Sequence, residues 1–157
     1  MDNYEGIVLS LGSNIGNRKK NLVTALIELS KIGEIINISS IYESEALLLT
    51  DQRSFYNIAI EIKYSKNAHD LLTEIKKIES NLGRKKTVRY GPRIIDIDII
   101  FFRGENISTE ELTIPHYGWK KRLFVLEPLS EIVKEFNISE FDIINQQIIK
   151  KGSINYK

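Results

Sequence analysis

The hydrophobic spacing of this chain changes period several times, in a fixed order, and that order restricts the folds open to it. Ile7 to Leu11 is a short apolar run closed by Gly12-Ser13-Asn14, which reads as a buried strand and a turn. Leu22, Leu26, Leu29 and Ile32 then recur at helical spacing, with Asn17 placed to cap and Gly33 to stop the helix. Glu34 to Tyr42 is isoleucine-rich with partial alternation and reads as one strand. Ser44 to Ser54 is a loop long enough to suggest function. Ile58, Ile60 and Ile62 alternate with polar or small residues in a strand over 55–64. Asn67 caps a second helix with the stripe Leu71, Ile75, Ile78 and Leu82, ended by Gly83. After a basic loop, Ile94 to Phe102 is the most apolar segment and reads as a central strand. The order β-α-β-β-α-β predicts an α+β, ferredoxin-like core, an antiparallel sheet with helices packed on it. The rest predicts C-terminal additions: a short strand at Leu112–Ile114, and helices over Trp119–Leu126 and Leu129–Phe136 split by Pro128. No linker, repeat or low-complexity stretch interrupts the 157 residues, so a single domain over 1–157 is expected.

Composition removes several chemistries. With no cysteine there is no disulfide, thiolate nucleophile or cysteine-held metal. Basic and acidic residues balance at 22 against 21, so neither nucleic acid nor an anionic membrane is drawn to the chain as a whole. No apolar run is long enough to span a bilayer, and the acidic start lacks secretory features. A cytoplasmic protein without membrane or nucleic-acid partners is expected. The Walker phosphate loop, the protein-kinase signatures and the dinucleotide fingerprint are all absent.

The chemistry concentrates around Asp96 and Asp98. On a strand these carboxylates share one face, about 6.6–7 Å apart along the chain. Burying either without compensation is costly, so that face opens to water or faces something positive. One reading is the solvent side of a half-buried strand. The other is a ligand pair for magnesium, which takes a few carboxylates plus substrate phosphates. Just upstream, Arg84, Lys85, Lys86, Arg89 and Arg93 place five cations in ten residues with no acid among them. Such a run is either a solvated loop or a phosphate clamp, since the arginine fork matches phosphate oxygens. Its direct entry into the D-x-D strand would bring polyphosphate beside metal ligands. His116, followed by Lys120, Lys121 and Arg122, is either a phosphate donor or a satisfied surface histidine; His69 carries no assigned role.

Gly12-Ser13-Asn14 after the first strand, Tyr90-Gly91-Pro92-Arg93 running into Asp96-Ile97-Asp98, and Ile114-Pro115-His116 follow in this order. Together they resemble the 6-hydroxymethyl-7,8-dihydropterin pyrophosphokinases, from about Ile7 to Leu129. The resemblance implies a ferredoxin-like core. It also implies transfer of the diphosphoryl group of ATP to the pterin hydroxymethyl group in folate biosynthesis, with two magnesium ions and release of AMP. Carried over by position, Asp96 and Asp98 would hold the metals. Arg84, Lys86, Arg93, His116, Tyr117, Arg122 and Glu79 would bind ATP, with Arg84 and Arg93 also counted as catalytic. Ser44, Leu47, Phe55, Asn57, Tyr90 and Phe124 would hold the pterin, between stacking rings and a hydrogen-bonding amide. The loops around Thr50 and Lys86 would act as lids. The partners expected are these two small molecules, with the protein a monomer or weak homodimer.

The chain departs from the family pattern at the proline-free Ser44–Leu49 stretch, at Glu111 and at Tyr90, where tryptophan is more usual. The first two favour the alternative reading, a pterin- or nucleotide-binding homologue of weak catalysis. An RNA-binding domain of the same fold would want exposed strand aromatics and a basic sheet face, which the pattern does not supply.

Overall fold

The structure is a computed structural model and describes residues 4–45, 52–83, 92–143 and 146–157. Its core runs β1 (Ile7–Ser13), α1 (Arg18–Ser30), β2 (Glu34–Ile38), β3 (Ile41–Ser44), β4 (Phe55–Lys63), α2 (Ala68–Asn81) and β5 (Asp96–Phe102). A small ribbon follows, β6 (Ile107–Ser108) with β7 (Thr113–Ile114), then a 3-10 turn at Trp119–Lys121 and α3 (Leu123–Ile132). A second 3-10 turn (Ile138–Glu140) and β8 (Ile148–Gly152) complete the chain. The main sheet is antiparallel in the order β5-β1-β4-β3-β8, with β2 also on β4. This is the expected ferredoxin-like arrangement. Among the described residues no helix is long and apolar enough to cross a membrane.

Helix α1 begins where Asn17 Oδ1 accepts the Lys20 N–H, and α2 where Asn67 Oδ1 accepts the Asp70 N–H. Their stripes, Leu22-Leu26-Leu29 and Leu71-Ile75-Ile78, are buried against Leu9, Leu11, Ile58, Ile60, Ile97 and Ile99 on one sheet face. The other face carries Val8, Ile100 and Phe101 under Trp119 and the α3 residues Val125, Leu126 and Leu129. Strand β1 is therefore buried along its whole length, because both of its faces are covered.

Four expectations are corrected. The single strand over Glu34–Tyr42 breaks at Ser39-Ser40. The Ser39 hydroxyl accepts the Ala59 N–H in place of a ladder bond, and both donors of Ser40 turn to Glu131 on α3. The apolar strand predicted from Ile94 starts at Asp96 and lies at the sheet edge rather than its centre. It reads as central because both of its faces are covered from Ile99 to Phe102. Its open edge is closed by one side chain and one backbone group: Glu79 Oε2 accepts the Ile97 N–H at 2.8 Å, and the His116 backbone N–H donates to the Ile100 carbonyl. Pro128 lies inside α3 instead of splitting it, at the cost of one backbone N–H in the helix ladder. Gly33 is needed for close approach rather than as a left-handed stop, since a Cβ there would lie 2.4 Å from the Lys63 carbonyl oxygen.

Candidate active site

The side chains that matter emerge from register. Gly12 pairs with Asp96 on one side and with Asn57 on the other, and Asn57 pairs with Tyr42. Ser10 pairs with Asp98, and Ser44 with Phe55. Paired residues of an antiparallel sheet point to the same face. Asp96, Asp98, Asn57, Phe55, Tyr42 and Ser44 therefore share the α3 face, at the end where β1 stops. Asp96 and Asn57 flank Gly12 two strand spacings apart, about 10 Å between backbones.

Around the carboxylates, His116 Nε2 lies 3.9 Å from Asp98 Oδ2. Its other nitrogen, Nδ1, accepts the Gly118 N–H at 3.2 Å, which leaves the neutral ring's proton on Nε2, toward Asp98. Burial, and next the Arg122 cation, push the His116 pKa down to about 4, against an opposing pull from Asp96. The ring is thus a neutral donor at pH 7. His116 stacks on Tyr117, and Arg122 lies over both Tyr117 and Phe124. Gly118 makes that packing possible, since a Cβ there would lie 2.8 Å from Arg122 Nε. Arg122 also occupies the N-cap position of α3, where Gln146 bonds the Leu123 N–H and the Lys121 carbonyl. Tyr117 is 67% exposed, and Phe124 packs partly into the α3-side core.

The second half of the site is polar and buried. Asn57 is 2% exposed, and its Nδ2 donates to the Ser44 hydroxyl at 2.8 Å and the Tyr42 carbonyl at 3.0 Å. That fixes the amide and turns Oδ1 toward Gly12: a Cβ on Gly12 would sit 3.2 Å from it and 3.4 Å from Phe55 Cδ1. The missing side chain of Gly12 leaves open floor between the acidic and amide halves.

Of the residues predicted from sequence, Asp96, Asp98, His116, Tyr117, Arg122 and Phe124 form one cluster, and Ser44, Phe55 and Asn57 form the other. Arg93 enters β5 from beside Asn14. Glu79 lies buried at the β5 edge, where it supports the strand that carries both carboxylates. Arg84, Lys86, Tyr90 and Leu47, and the lids expected around Thr50 and Lys86, lie outside the described residues. Among the described residues no three histidine or carboxylate side chains converge as a metal cage. Two half-exposed carboxylates on one strand offer the hard oxygen donors of a cation shared with phosphate.

Sequence reasoning gave Gly12 and Asn14 no role of their own, although a glycine inside a buried strand and a polar residue at its end were visible signals. It also passed over Arg18. This side chain lies over the Tyr56 ring, pairs with Glu43 at 3.2 Å and bonds the Ser54 carbonyl and hydroxyl. The Ser54 hydroxyl holds the Glu43 carboxyl below the usual range; burial opposes this and Arg18 adds to it.

Known proteins resemble this chain. A family model described as 7,8-dihydro-6-hydroxymethylpterin-pyrophosphokinase matches residues 8–134. The 2-amino-4-hydroxy-6-hydroxymethyldihydropteridine pyrophosphokinase of Bacillus subtilis is 45% identical over 129 residues, covering 81% of this chain and 77% of the relative. Its namesake in Aquifex aeolicus is 41% identical over 126 residues, covering 80% and 79%. Among solved structures, a Plasmodium falciparum HPPK-DHPS triple mutant with pteroate superposes with a TM-score of 0.64 at 20% identity. That match covers 88% of this chain, which spans only 41% of that longer one, and it bears on the fold alone.

Proposed function

This chain belongs to the 7,8-dihydro-6-hydroxymethylpterin-pyrophosphokinase family, and from that membership we propose how its residues share the work. The protein is an ATP-dependent pyrophosphokinase of folate synthesis. It transfers the diphosphoryl group of ATP to the hydroxymethyl group of 6-hydroxymethyl-7,8-dihydropterin and releases AMP.

The observation that carries the assignment of residues is the placement of Asp96 and Asp98 on one face beside His116, with Gly12 opening the floor toward Asn57. Asp96 and Asp98 would hold two magnesium ions, which neutralise the triphosphate charge and align it. Arg93 and Arg122 bind phosphate oxygens through their guanidinium forks, and neutral His116 donates from Nε2. Arg84 and Lys86 extend this clamp, and Tyr117 packs against the nucleotide. On the other side the fixed Asn57 amide reads the pyrimidinone edge of the pterin, supported by Ser44 and Leu47. Phe55, Phe124 and Tyr90 enclose its ring. The pterin hydroxyl oxygen then attacks the β-phosphorus in line, the bond from that phosphorus to the bridging oxygen breaks, AMP departs with that oxygen, and the hydroxyl proton is released to solvent. Protein groups position and neutralise; none is required as a covalent intermediate. Glu79 serves this site through β5. We further assign the chain to the cytoplasm as a single domain, monomeric or weakly dimeric.

The test is to incubate the protein with ATP, magnesium and 6-hydroxymethyl-7,8-dihydropterin and to separate AMP from ADP. Pterin-dependent AMP is the expected product. ADP would mean that the γ-phosphorus is attacked, and neither product, with ligands still bound, would leave a binding module.

A further inference from the structure

Asn14 follows directly on β1 and is 3% exposed. Its Nδ2 donates to Gln52 Oε1 at 3.1 Å and to the Arg53 carbonyl at 3.0 Å. Its Oδ1 accepts the Arg93 N–H at 2.8 Å, and its own N–H donates to the Arg93 carbonyl at 3.0 Å. One buried amide thus ties together two stems that are remote in sequence. The first, Gln52-Arg53, leads into Phe55 and Asn57. The second, Arg93, leads into Asp96 and Asp98.

The first stem has anchors of its own. Arg18 bonds Ser54 at two atoms, and Arg53 Nη1 reaches the Gly16 carbonyl at 2.7 Å, so this stem is fixed to the start of α1. Asn14 then fixes Arg93 to that frame at both backbone atoms. An amide has distinct donor and acceptor ends, so these partners allow it one orientation, and inside a protein such a network is stiff. We infer that Asn14 is a positioning residue for the transfer reaction: it sets the distance between the pterin half of the site and the nucleotide half. This inference rests on the reading of those halves given above. An in-line displacement tolerates little error in that distance, and a misplacement of about 1 Å can cost roughly 100-fold in rate. Asn14 acts through its neighbours and not on the reacting atoms, so its removal should spare the binding of each substrate alone.

The experiment compares wild type with Asn14→Ala and Asn14→Asp. Three quantities are measured: the single-turnover rate of AMP formation, the Kd of the pterin alone and of magnesium α,β-methylene-ATP alone, and hydrogen exchange at the Arg93 amide. In Asn14→Ala the rate should fall by about 30- to 100-fold. Both Kd values should stay within about threefold, and Arg93 should exchange at least about tenfold faster, because its partner is gone. Asn14→Asp keeps the acceptor for Arg93 but sets a second acceptor against the Arg53 carbonyl. It should recover slow exchange without recovering the rate, and it also serves if the alanine variant folds poorly. A rate within threefold of wild type in Asn14→Ala would overturn the inference. So would a loss matched by weaker binding of either ligand, or full rescue by Asn14→Asp. A folded wild type that makes no AMP overturns the pyrophosphokinase reading instead. The Arg93 exchange data then still decide the bridge, fast exchange in Asn14→Ala upholding it and unchanged exchange removing it.

Discussion

At the scale of single residues, the site depends on two carboxylates and on one absent side chain. Asp96 and Asp98 face the same way because their partners across the ladder, Gly12 and Ser10, do. Replacing either with alanine should abolish AMP formation while leaving the melting temperature within a few degrees, since both are only half-buried. Wild-type turnover in either variant would remove the metal assignment. Gly12→Ala tests the floor. Gly12 needs no unusual backbone angle, but the added methyl would press on Asn57 Oδ1 at 3.2 Å, and bonds to Ser44 and Tyr42 hold that amide. The KM for pterin should rise about tenfold or more, equivalent to ~1.4 kcal/mol of lost binding, with the KM for ATP little changed. Equal effects on both substrates would mean the floor is shared. The shared face of the Asp-x-Asp pair could be read from the chain, because strand periodicity sets it without further information. Asn14 and Gly12 could be seen as unusual but not interpreted, because their partners lie far away in sequence.

At the scale of elements, Glu131 holds the broken β2–β3 segment to α3. Its Oε1 accepts both the N–H and the hydroxyl of Ser40, and its Oε2 accepts the Tyr42 hydroxyl at 2.7 Å. Burial pulls this carboxyl upward, but Tyr42 and Ser40 outweigh it and hold the pKa below the ordinary 4.5. A lowered native pKa means stability that is present above 4.5 and lost as pH falls through the native value. Urea midpoints of wild type and Glu131→Gln should therefore differ at pH 7 and draw together as the pH falls below 4.5 and through the native value. A gap that stays constant with pH would show that the carboxylate's charge is not what matters. Helices α1 and α2 could be read with their caps, since apolar stripes and capping asparagines are local signals. The break at Ser39-Ser40 could not, because it depends on Ala59 and Glu131. The edge position of β5 was hidden for a related reason: apolar composition reports covered faces, not neighbouring strands.

At the scale of the whole molecule, segments from residues 10–14, 42–45, 52–57, 93–98 and 116–124 meet at one end of the sheet. A ligand that bridges them stabilises the entire fold by linkage. ATP with magnesium at 100 times its Kd should add about 2.7 kcal/mol. For a chain of this size that is about 5–10 °C in Tm. The shift should vanish with EDTA and in Asp98→Ala; a full shift without metal would place ATP elsewhere. The amino-acid sequence by itself determined the order and type of the core elements, the caps, and the motifs that mark the family, because all of these rest on periodicity and nearest neighbours. Tertiary structure alone decided that β5 is an edge held by Glu79 and His116, that α3 covers the second face, and that one asparagine joins two loop stems. Each of these is a contact between residues distant along the chain, and only the folded sheet brings them within hydrogen-bonding range.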